Sequence, residues 1–252
     1  MLEILILSLV QGATEFIPVS SSSHLILISN YFRFENQNLM IDVSLHIGSF
    51  FAILFHFRND VFNFFKNKKL FLKIFISSIP VMLVGYILIK YNLIDHLRNI
   101  KVIGWATIIF GILLFISDKS KKIKNINKNF NYKSAIVIGL FQVLSLIPGV
   151  SRSGVTITAG RFLEFERVEA AKISFLLSIP TLAAVSLFGI NDLILSGDFN
   201  FSLLSLLSVS FSFIFSLITI KIFLKFIERF NLNIFVIYRI LLGIIILVLS
   251  YL

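Results

Sequence analysis

The segment EFIPVSSSSH, residues 15–24, carries side chains that can transfer a proton and attack an electrophile. Helical spacing places His24 one turn beyond Ser20 and Ser21, so its imidazole can approach either hydroxyl. Glu15 adds a carboxylate. Placing a carboxylate at membrane depth costs about 3 kcal/mol, so a residue that is kept there is a functional candidate. The segment therefore predicts a hydroxyl nucleophile with a carboxylate or an imidazole as its base.

A second polar segment, PGVSRSGVT at residues 148–156, supplies the permanent cation that the first segment lacks. Arg152 presents a planar fork of N–H donors that suits phosphate oxygens. Further groups that can bind a phosphate are hydroxyls and a closely approaching backbone, at Ser151, Ser153, Gly154 and Thr156. A structural ion pair between Arg152 and Glu15 is the alternative interpretation. It is compatible with function, because such a pair can open to admit a phosphate.

Together the two segments contain the groups expected for phosphoryl transfer, in which positioning and charge stabilisation do most of the work. Gln11 lies four residues before Glu15, so both side chains share one face of a helix. A carboxylate beside a diphosphate is a natural seat for Mg²⁺ or Ca²⁺. We therefore expect a divalent cation as cofactor, with Glu15 and Gln11 as its protein ligands. The absence of cysteine excludes thiolate chemistry.

The elements that position these groups must lie in a lipid bilayer. Hydrophobic residues make up 57% of the 252 residues, above the roughly 45 to 50% of soluble domains. The whole chain, residues 1–252, reads as one all-α, polytopic membrane domain. Apolar runs of about 17 to 25 residues are long enough to cross the hydrocarbon core. They predict six spans, at residues 39–57, 70–89, 101–117, 172–190, 203–224 and 234–252.

Two further apolar stretches, residues 1–32 and 134–163, are each interrupted by proline and polar residues. An arm of about 12 to 15 helical residues reaches only about 20 Å, which is too short to cross a bilayer. Two such arms with a polar tip form a re-entrant hairpin, which is tolerated where the tip is buried in protein or lines a wet cavity. In the first hairpin, Pro18 suits the start of the second helix.

Loop charges predict the orientation of the chain. Loop 58–69 is basic, residues 117–133 hold six lysines beside one aspartate, and loop 191–200 is acidic. Basic loops lie in the cytoplasm, so the hairpins enter from opposite faces and the carboxyl terminus lies outside. The formal charge of +10 therefore reflects membrane topology and not binding to nucleic acid.

The two halves of the chain also resemble each other. IPVSSSS at 17–23 is similar to IPGVSRS at 147–153, and SSIP at 77–80 is similar to LSIP at 177–180. Opposite entry combined with repetition predicts an inverted-topology duplication whose broken helices meet near the bilayer midplane. Arg239, inside the last span, is interpreted as a buried charge that seeks a carboxylate or a carbonyl, with a role in the site left open.

These segments resemble the signature motifs of the bacterial undecaprenyl-diphosphate phosphatase family, which is associated with bacitracin resistance. The resemblance is carried by QGATEFIPVSSSSH at 11–24, PGVSRSGVT at 148–156, FLLSIP at 175–180 and VIYR at 236–239. It implies dephosphorylation of a C55 polyprenyl diphosphate, in the bacterial plasma membrane, to recycle the lipid carrier of cell-wall synthesis. By position it implies an active site of Glu15, Ser20, Ser21, His24, Ser151, Arg152, Ser153 and Thr156.

Several alternatives stay open at this point. Ser21 is the expected nucleophile, with Glu15 or His24 as its base, but His24 is an alternative nucleophile. A lipid-phosphate transporter or flippase is the competing function, because opposed hairpins at the midplane are a transporter architecture. The sequence also leaves a homodimer open.

Overall fold

The computed structural model describes residues 1–32, 34, 38–66, 68–91, 93, 99–119, 123–197 and 202–251. Within these ranges the chain is helical almost throughout and contains no β-strand. In chain order the helices are α1 (Leu2–Thr14), α2 (Ser21–Phe32), α3 (Leu39–His56), α4 (Arg58–Lys66), α5 (Lys68–Lys90), α6 (Ile100–Lys119), α7 (Ile126–Asn129), α8 (Tyr132–Val143), α9 (Arg152–Phe162), α10 (Arg167–Ser196), α11 (Leu203–Arg229) and α12 (Asn233–Tyr251). Parts of the predicted loops, at residues 67, 120–122 and 198–200, lie outside the described residues.

Six of these helices are long and apolar enough to cross a bilayer, namely α3, α5, α6, α10, α11 and α12. They confirm the predicted all-α membrane fold and its six spans, with ends that differ from the predicted ones by a few residues. The largest difference is in α10, which ends at Ser196 and not at residue 190, and which also begins earlier, at Arg167 and not at residue 172. Charged residues at its start extend the helix beyond the apolar run on which the prediction depended.

Small residues hold α3 and α11 close together. Ser212 donates to the carbonyl of Leu45 at 2.7 Å, and the hydroxyls of Ser49 and Ser216 are 3.0 Å apart. These pairs run in the same direction along both helices, so α3 and α11 are parallel. Gly48 lies against the backbone of α11, where a larger residue would collide. Between membrane helices, such small polar residues allow close backbone packing and direct hydrogen bonds.

The second broken stretch begins and ends at the same end of the molecule. Before α8 starts, the carbonyl of Phe130 accepts from Lys73 in the first turns of α5. Near the end of α9, Arg161 pairs with Asp118 in the last turn of α6, with Nη2 and Oδ1 2.9 Å apart. Asp118 also accepts from the backbone N–H of Leu232, just after α11 ends. The base of this stretch therefore lies with the carboxyl-terminal ends of α6 and α11.

The first broken stretch has its base at the other end. The buried side chains of Ile4 in α1 and Leu25 in α2 share a core cluster with Ile41, near the start of α3. Leu204, near the start of α11, packs against the same cluster. Because α3 and α11 are parallel, their starts lie opposite the end that carries Asp118. This placement supports the predicted pair of opposed hairpins.

Each first arm packs against the second span of the other half. Gly12 of α1 meets Phe215 and Ser216 of α11, and Gly139 of α8 meets the backbone of Ser77 in α5. This reciprocal packing is the pattern that an internal duplication would produce. It supports the predicted repeat.

Candidate active site

Two serines turn the chain at the tips. Ser20 immediately precedes α2 with φ +76°, and Ser151 immediately precedes α9 with φ +71°. Positive φ is uncommon for residues other than glycine, and such strain is concentrated at functional sites. The predicted helix start at Pro18 is therefore wrong by three residues, because α2 begins only after Ser20 has turned the chain. The equivalent positions of the two serines are a further similarity between the halves.

Glu15 joins the two tips. Its Oε1 lies 2.8 Å from Nη2 of Arg152, in an ion pair from which water is largely excluded, since the Glu15 side chain is 7% exposed. Its other oxygen, Oε2, accepts from the Ser21 hydroxyl at 2.7 Å and from Nε2 of Gln11 at 3.1 Å. The structure therefore brings together four predicted site residues, Glu15, Arg152, Ser21 and Gln11.

Two polar atoms at this centre are buried and have no hydrogen-bond partner among the described residues: Nη1 of Arg152 and Oε1 of Gln11. A buried donor or acceptor without a partner costs about 1 to 3 kcal/mol, so such atoms call for an explanation. A bound anion would satisfy the guanidinium N–H, and a cation would satisfy the amide oxygen. The centre thus offers one donor and one acceptor that a ligand could use.

The imidazole of His24 is held between the first tip and the last span. Its Nδ1 lies 2.7 Å from the backbone carbonyl of Ser20, and its Nε2 lies 2.5 Å from the hydroxyl of Tyr238. The expectation that His24 approaches a serine hydroxyl is therefore wrong for this geometry, because both ring nitrogens have other partners. The hydroxyl of Ser20 instead lies 3.0 Å from that of Ser23.

The hydroxyls of the second tip are also engaged. Ser153 donates to the carbonyl of Ile17 in the first tip at 2.8 Å, which adds a second link between the tips. Ser151 caps α9 by accepting from the N–H of Gly154 at 3.1 Å. Thr156 donates to the hydroxyl of Ser174 in α10 at 2.7 Å. The hydroxyls of the predicted phosphate ligands, Ser151, Ser153 and Thr156, thus already form contacts that shape the tip.

Arg239 contacts both tips from the last span. Its guanidinium donates to the carbonyls of Pro18 at 3.2 Å, Gly149 at 2.9 Å and Thr107 at 3.2 Å, and the residue is fully buried. This agrees with the interpretation of a buried charge that seeks a carbonyl. A side chain at Gly154 would meet this guanidinium, since an added Cβ would lie 2.8 Å from Nη1 of Arg239. Arg239 therefore fixes the two tips relative to each other.

Tyr238 is the site residue that sequence reasoning missed. It belongs to the VIYR segment at 236–239, but its spacing from the polar segments gave no reason to place it beside His24. The contact joins residues 214 positions apart. Its neighbour Arg239 was the available signal, since a charge inside a span indicates that this helix faces the protein interior.

Known proteins resemble this chain over nearly its whole length. Residues 4–245 match the family described as bacitracin resistance protein BacA. The undecaprenyl-diphosphatase of Pelagibacter ubique (strain HTCC1062) is 48% identical over 251 residues, covering 99% of this chain and 98% of the relative. Undecaprenyl-diphosphatase 1 of Pseudoalteromonas translucida (strain TAC 125) is 41% identical, with 96% of each chain covered. The undecaprenyl-diphosphatase of Jannaschia sp. (strain CCS1) is 36% identical, covering 98% of this chain and 97% of the relative. The chain therefore belongs to the BacA family.

Proposed function

We propose that this membrane protein hydrolyses undecaprenyl diphosphate to undecaprenyl phosphate and inorganic phosphate, which recycles the lipid carrier of cell-wall synthesis. One observation carries the proposal: Glu15 accepts from the Ser21 hydroxyl with one oxygen and pairs with Arg152 through the other, and the Arg152 guanidinium has a free, buried N–H. A nucleophile, its base and an oxyanion donor thus meet at one point. The names of the relatives give the substrate, and family membership favours hydrolysis over transport.

In the first step the Ser21 oxygen attacks the terminal phosphorus of the diphosphate. The serine–phosphorus bond forms, the bridging phosphorus–oxygen bond breaks, and undecaprenyl phosphate leaves with the bonding electrons. Glu15 takes the serine proton, because its Oε2 already accepts the Ser21 hydrogen bond at 2.7 Å. Glu15 is therefore the base that this geometry favours.

Arg152 holds the transferring phosphoryl group through its free Nη1 donor and, once the ion pair opens, through Nη2 as well. Donors that are already oriented toward developing charge lower the barrier at no cost in reorganisation. Backbone N–H groups at the starts of α2 and α9 support the same oxygens. In the second step water attacks the phosphoserine, and the departing Ser21 oxygen recovers its proton from Glu15.

We also propose that Glu15 and Gln11 hold a divalent cation, Mg²⁺ or Ca²⁺. The buried, unpartnered Oε1 of Gln11 fits such an ion. The described residues contain no cluster of three or more His, Cys, Asp or Glu, so the ion would complete its shell with diphosphate oxygens and water. It would share the carboxylate of Glu15 with Arg152 and Ser21. When bound, the cation would neutralise part of the charge of the diphosphate.

For the membrane setting, we propose two re-entrant hairpins that enter from opposite faces of the bacterial plasma membrane. The end that carries Lys119, Lys124, Arg161 and Arg167 would face the cytoplasm. The carboxyl-terminal end of α12 would then lie outside. Reporter enzymes fused after residue 252 and into the 120–122 segment test this orientation.

The proposed function is tested by phosphate release from undecaprenyl diphosphate, with purified protein in detergent. Ser21→Ala and Arg152→Ala should each lower the rate by at least about a hundredfold. The matched controls Ser210→Ala and Arg229→Ala change exposed residues and should keep the wild-type rate. If wild-type protein releases no phosphate but moves the lipid across vesicles, and both site variants stop that movement, the protein is a transporter and not a phosphatase.

A further inference from the structure

We infer that Tyr238 is a positioning residue that holds His24 in one tautomer and one orientation for the reaction. The inference begins with the carbonyl of Ser20, which can only accept a hydrogen bond. Because Nδ1 of His24 lies 2.7 Å from that oxygen, Nδ1 carries the proton. Nε2 then has a free lone pair, and the phenol of Tyr238 donates to it.

The ring of Tyr238 is aligned with the imidazole, edge to edge through its hydroxyl. The two rings are nearly parallel, at 9°, with centroids 5.7 Å apart. His24 is therefore bound at both nitrogens, and it cannot turn about its side-chain bonds without losing both hydrogen bonds. The buried position of His24, which is 9% exposed, leaves little room for another orientation.

The residue that follows Tyr238 contacts both tips. Arg239 binds the carbonyl of Pro18 in the first tip and that of Gly149 in the second. Consecutive residues of α12 thus hold the imidazole and the two tips that carry Ser21 and Arg152. The last span therefore acts as the support on which the catalytic groups are aligned.

The chemical consequence rests on the proposed function. An imidazole with its lone pair at Nε2 can take a proton from the water that attacks phosphoserine. In that step the water oxygen bonds to phosphorus, its proton moves to Nε2, and the Ser21 oxygen leaves with the proton of Glu15. Tyr238 keeps Nε2 unprotonated and correctly oriented until the water takes the place of the phenol.

Tyr238→Phe is the decisive variant, because it keeps the aromatic ring and removes only the hydroxyl. In protein labelled with ¹⁵N at the histidine rings, wild-type His24 should show a proton on Nδ1 alone, and the variant should show a shifted Nε2 resonance, because Nε2 loses its hydrogen-bond donor. His24→Gln identifies the His24 signals. The variant should also lower kcat for phosphate release about three- to tenfold, the size of one hydrogen bond, with KM within about twofold.

The matched control is Tyr86→Phe, which removes another half-exposed phenol hydroxyl from a span, in α5. It should change neither the His24 signals nor kcat. A wild-type spectrum with the proton on Nε2, or a Tyr238→Phe variant with unchanged His24 signals or unchanged kcat, would overturn the inference. The wild-type spectrum decides even if the variant does not fold. If wild-type protein releases no phosphate, the proposed function fails, and the spectrum still reports on Tyr238.

Discussion

Glu15 and Arg152, which are 137 residues apart in the chain, form an ion pair with 2.8 Å between Oε1 and Nη2. The pair joins the tips of two broken helical stretches whose bases lie at opposite ends of the molecule. Since Ser21 donates to the same carboxylate, the ion pair also fixes the geometry of the proposed nucleophile. The proposed catalytic chemistry and the stability of this membrane fold therefore depend on the same contact.

Breaking the Glu15–Arg152 pair from one side should destabilise the protein and abolish its activity. Glu15→Gln leaves the Arg152 cation buried without its partner, which costs about 3 to 5 kcal/mol. The double variant Glu15→Gln with Arg152→Gln removes both charges and should recover part of this stability but no activity. Thermal unfolding in detergent and phosphate release measure the two effects. Additive losses of stability in the double variant would contradict the coupling.

The covalent intermediate should be a phosphoserine at Ser21. Ser21 donates to Glu15 at 2.7 Å, whereas both ring nitrogens of His24 are occupied, so the serine is the activated group. Rapid quenching with a ³²P-labelled diphosphate substrate should trap labelled protein whose label survives acid. Ser21→Ala should abolish the label. A label lost in acid and retained in base would identify His24 as the nucleophile.

Replacing Arg239 should damage the site from a distance. Arg239→Leu leaves the carbonyls of Pro18, Gly149 and Thr107 without their donor, at a cost of about 1 to 3 kcal/mol for each one that stays unsatisfied. We expect a lower melting temperature and a kcat/KM reduced by at least about tenfold. Arg229→Ala, which removes an exposed arginine, should match the wild type. Normal activity in Arg239→Leu would show that the tips align without it.

Replacing Gln11 should weaken the binding of the cation and leave the nucleophile intact. Gln11→Leu removes the buried Oε1 that is proposed as a cation ligand. Activity of the chelator-treated protein should then need a several-fold higher concentration of Mg²⁺ or Ca²⁺ for half-maximal rate, while the rate at saturating cation stays within about threefold. An unchanged cation titration would remove Gln11 from the proposed site. Full activity of the wild type with chelator would remove the cation itself.

The reciprocal packing of the two first arms predicts paired effects of small substitutions. A Cβ added at Gly12 would lie 2.5 Å from that of Phe215, and one at Gly139 would lie 2.9 Å from the Cα of Ser77. Gly12→Ala and Gly139→Ala should each destabilise the protein by about 1 to 3 kcal/mol through overpacking. Gly85→Ala serves as the control, because a Cβ added there would lie 3.5 Å from its nearest neighbour, Cδ2 of Leu146. Thermal unfolding measures the stability of the three variants. If Gly12→Ala and Gly139→Ala were as stable as the control, the close packing would be contradicted.

The spans could be predicted because crossing a bilayer imposes a length and an apolar composition that one sequence displays directly. Residue 39 was predicted as the start of the first span, and α3 does begin at Leu39. The meeting of Glu15 and Arg152 was also expected, as the structural alternative to a purely phosphate-binding arginine. The predicted spans and the predicted ion pair both depend on the cost of exposing polar groups to lipid, and this cost applies whatever the tertiary packing.

The position of His24 could not be predicted in the same way. Helical spacing counted from Pro18 suggested a serine hydroxyl as its partner, but α2 begins only at Ser21. The positive φ of Ser20 turns the chain before the helix starts, and no local pattern marks a serine for this conformation. The second partner, Tyr238, comes from a helix at the far end of the chain and enters the site only through packing.

The burial of Arg239 among backbone carbonyls has an electrostatic consequence. Among the described residues no carboxylate pairs with it, so the centre formed by Glu15, Arg152 and Arg239 carries one negative and two positive charges. In a medium of low dielectric constant this excess works as an attractor for polyanions, and it attracts a diphosphate more strongly than the monophosphate that remains on the lipid. The imbalance thus favours a diphosphate over the lipid monophosphate at this centre.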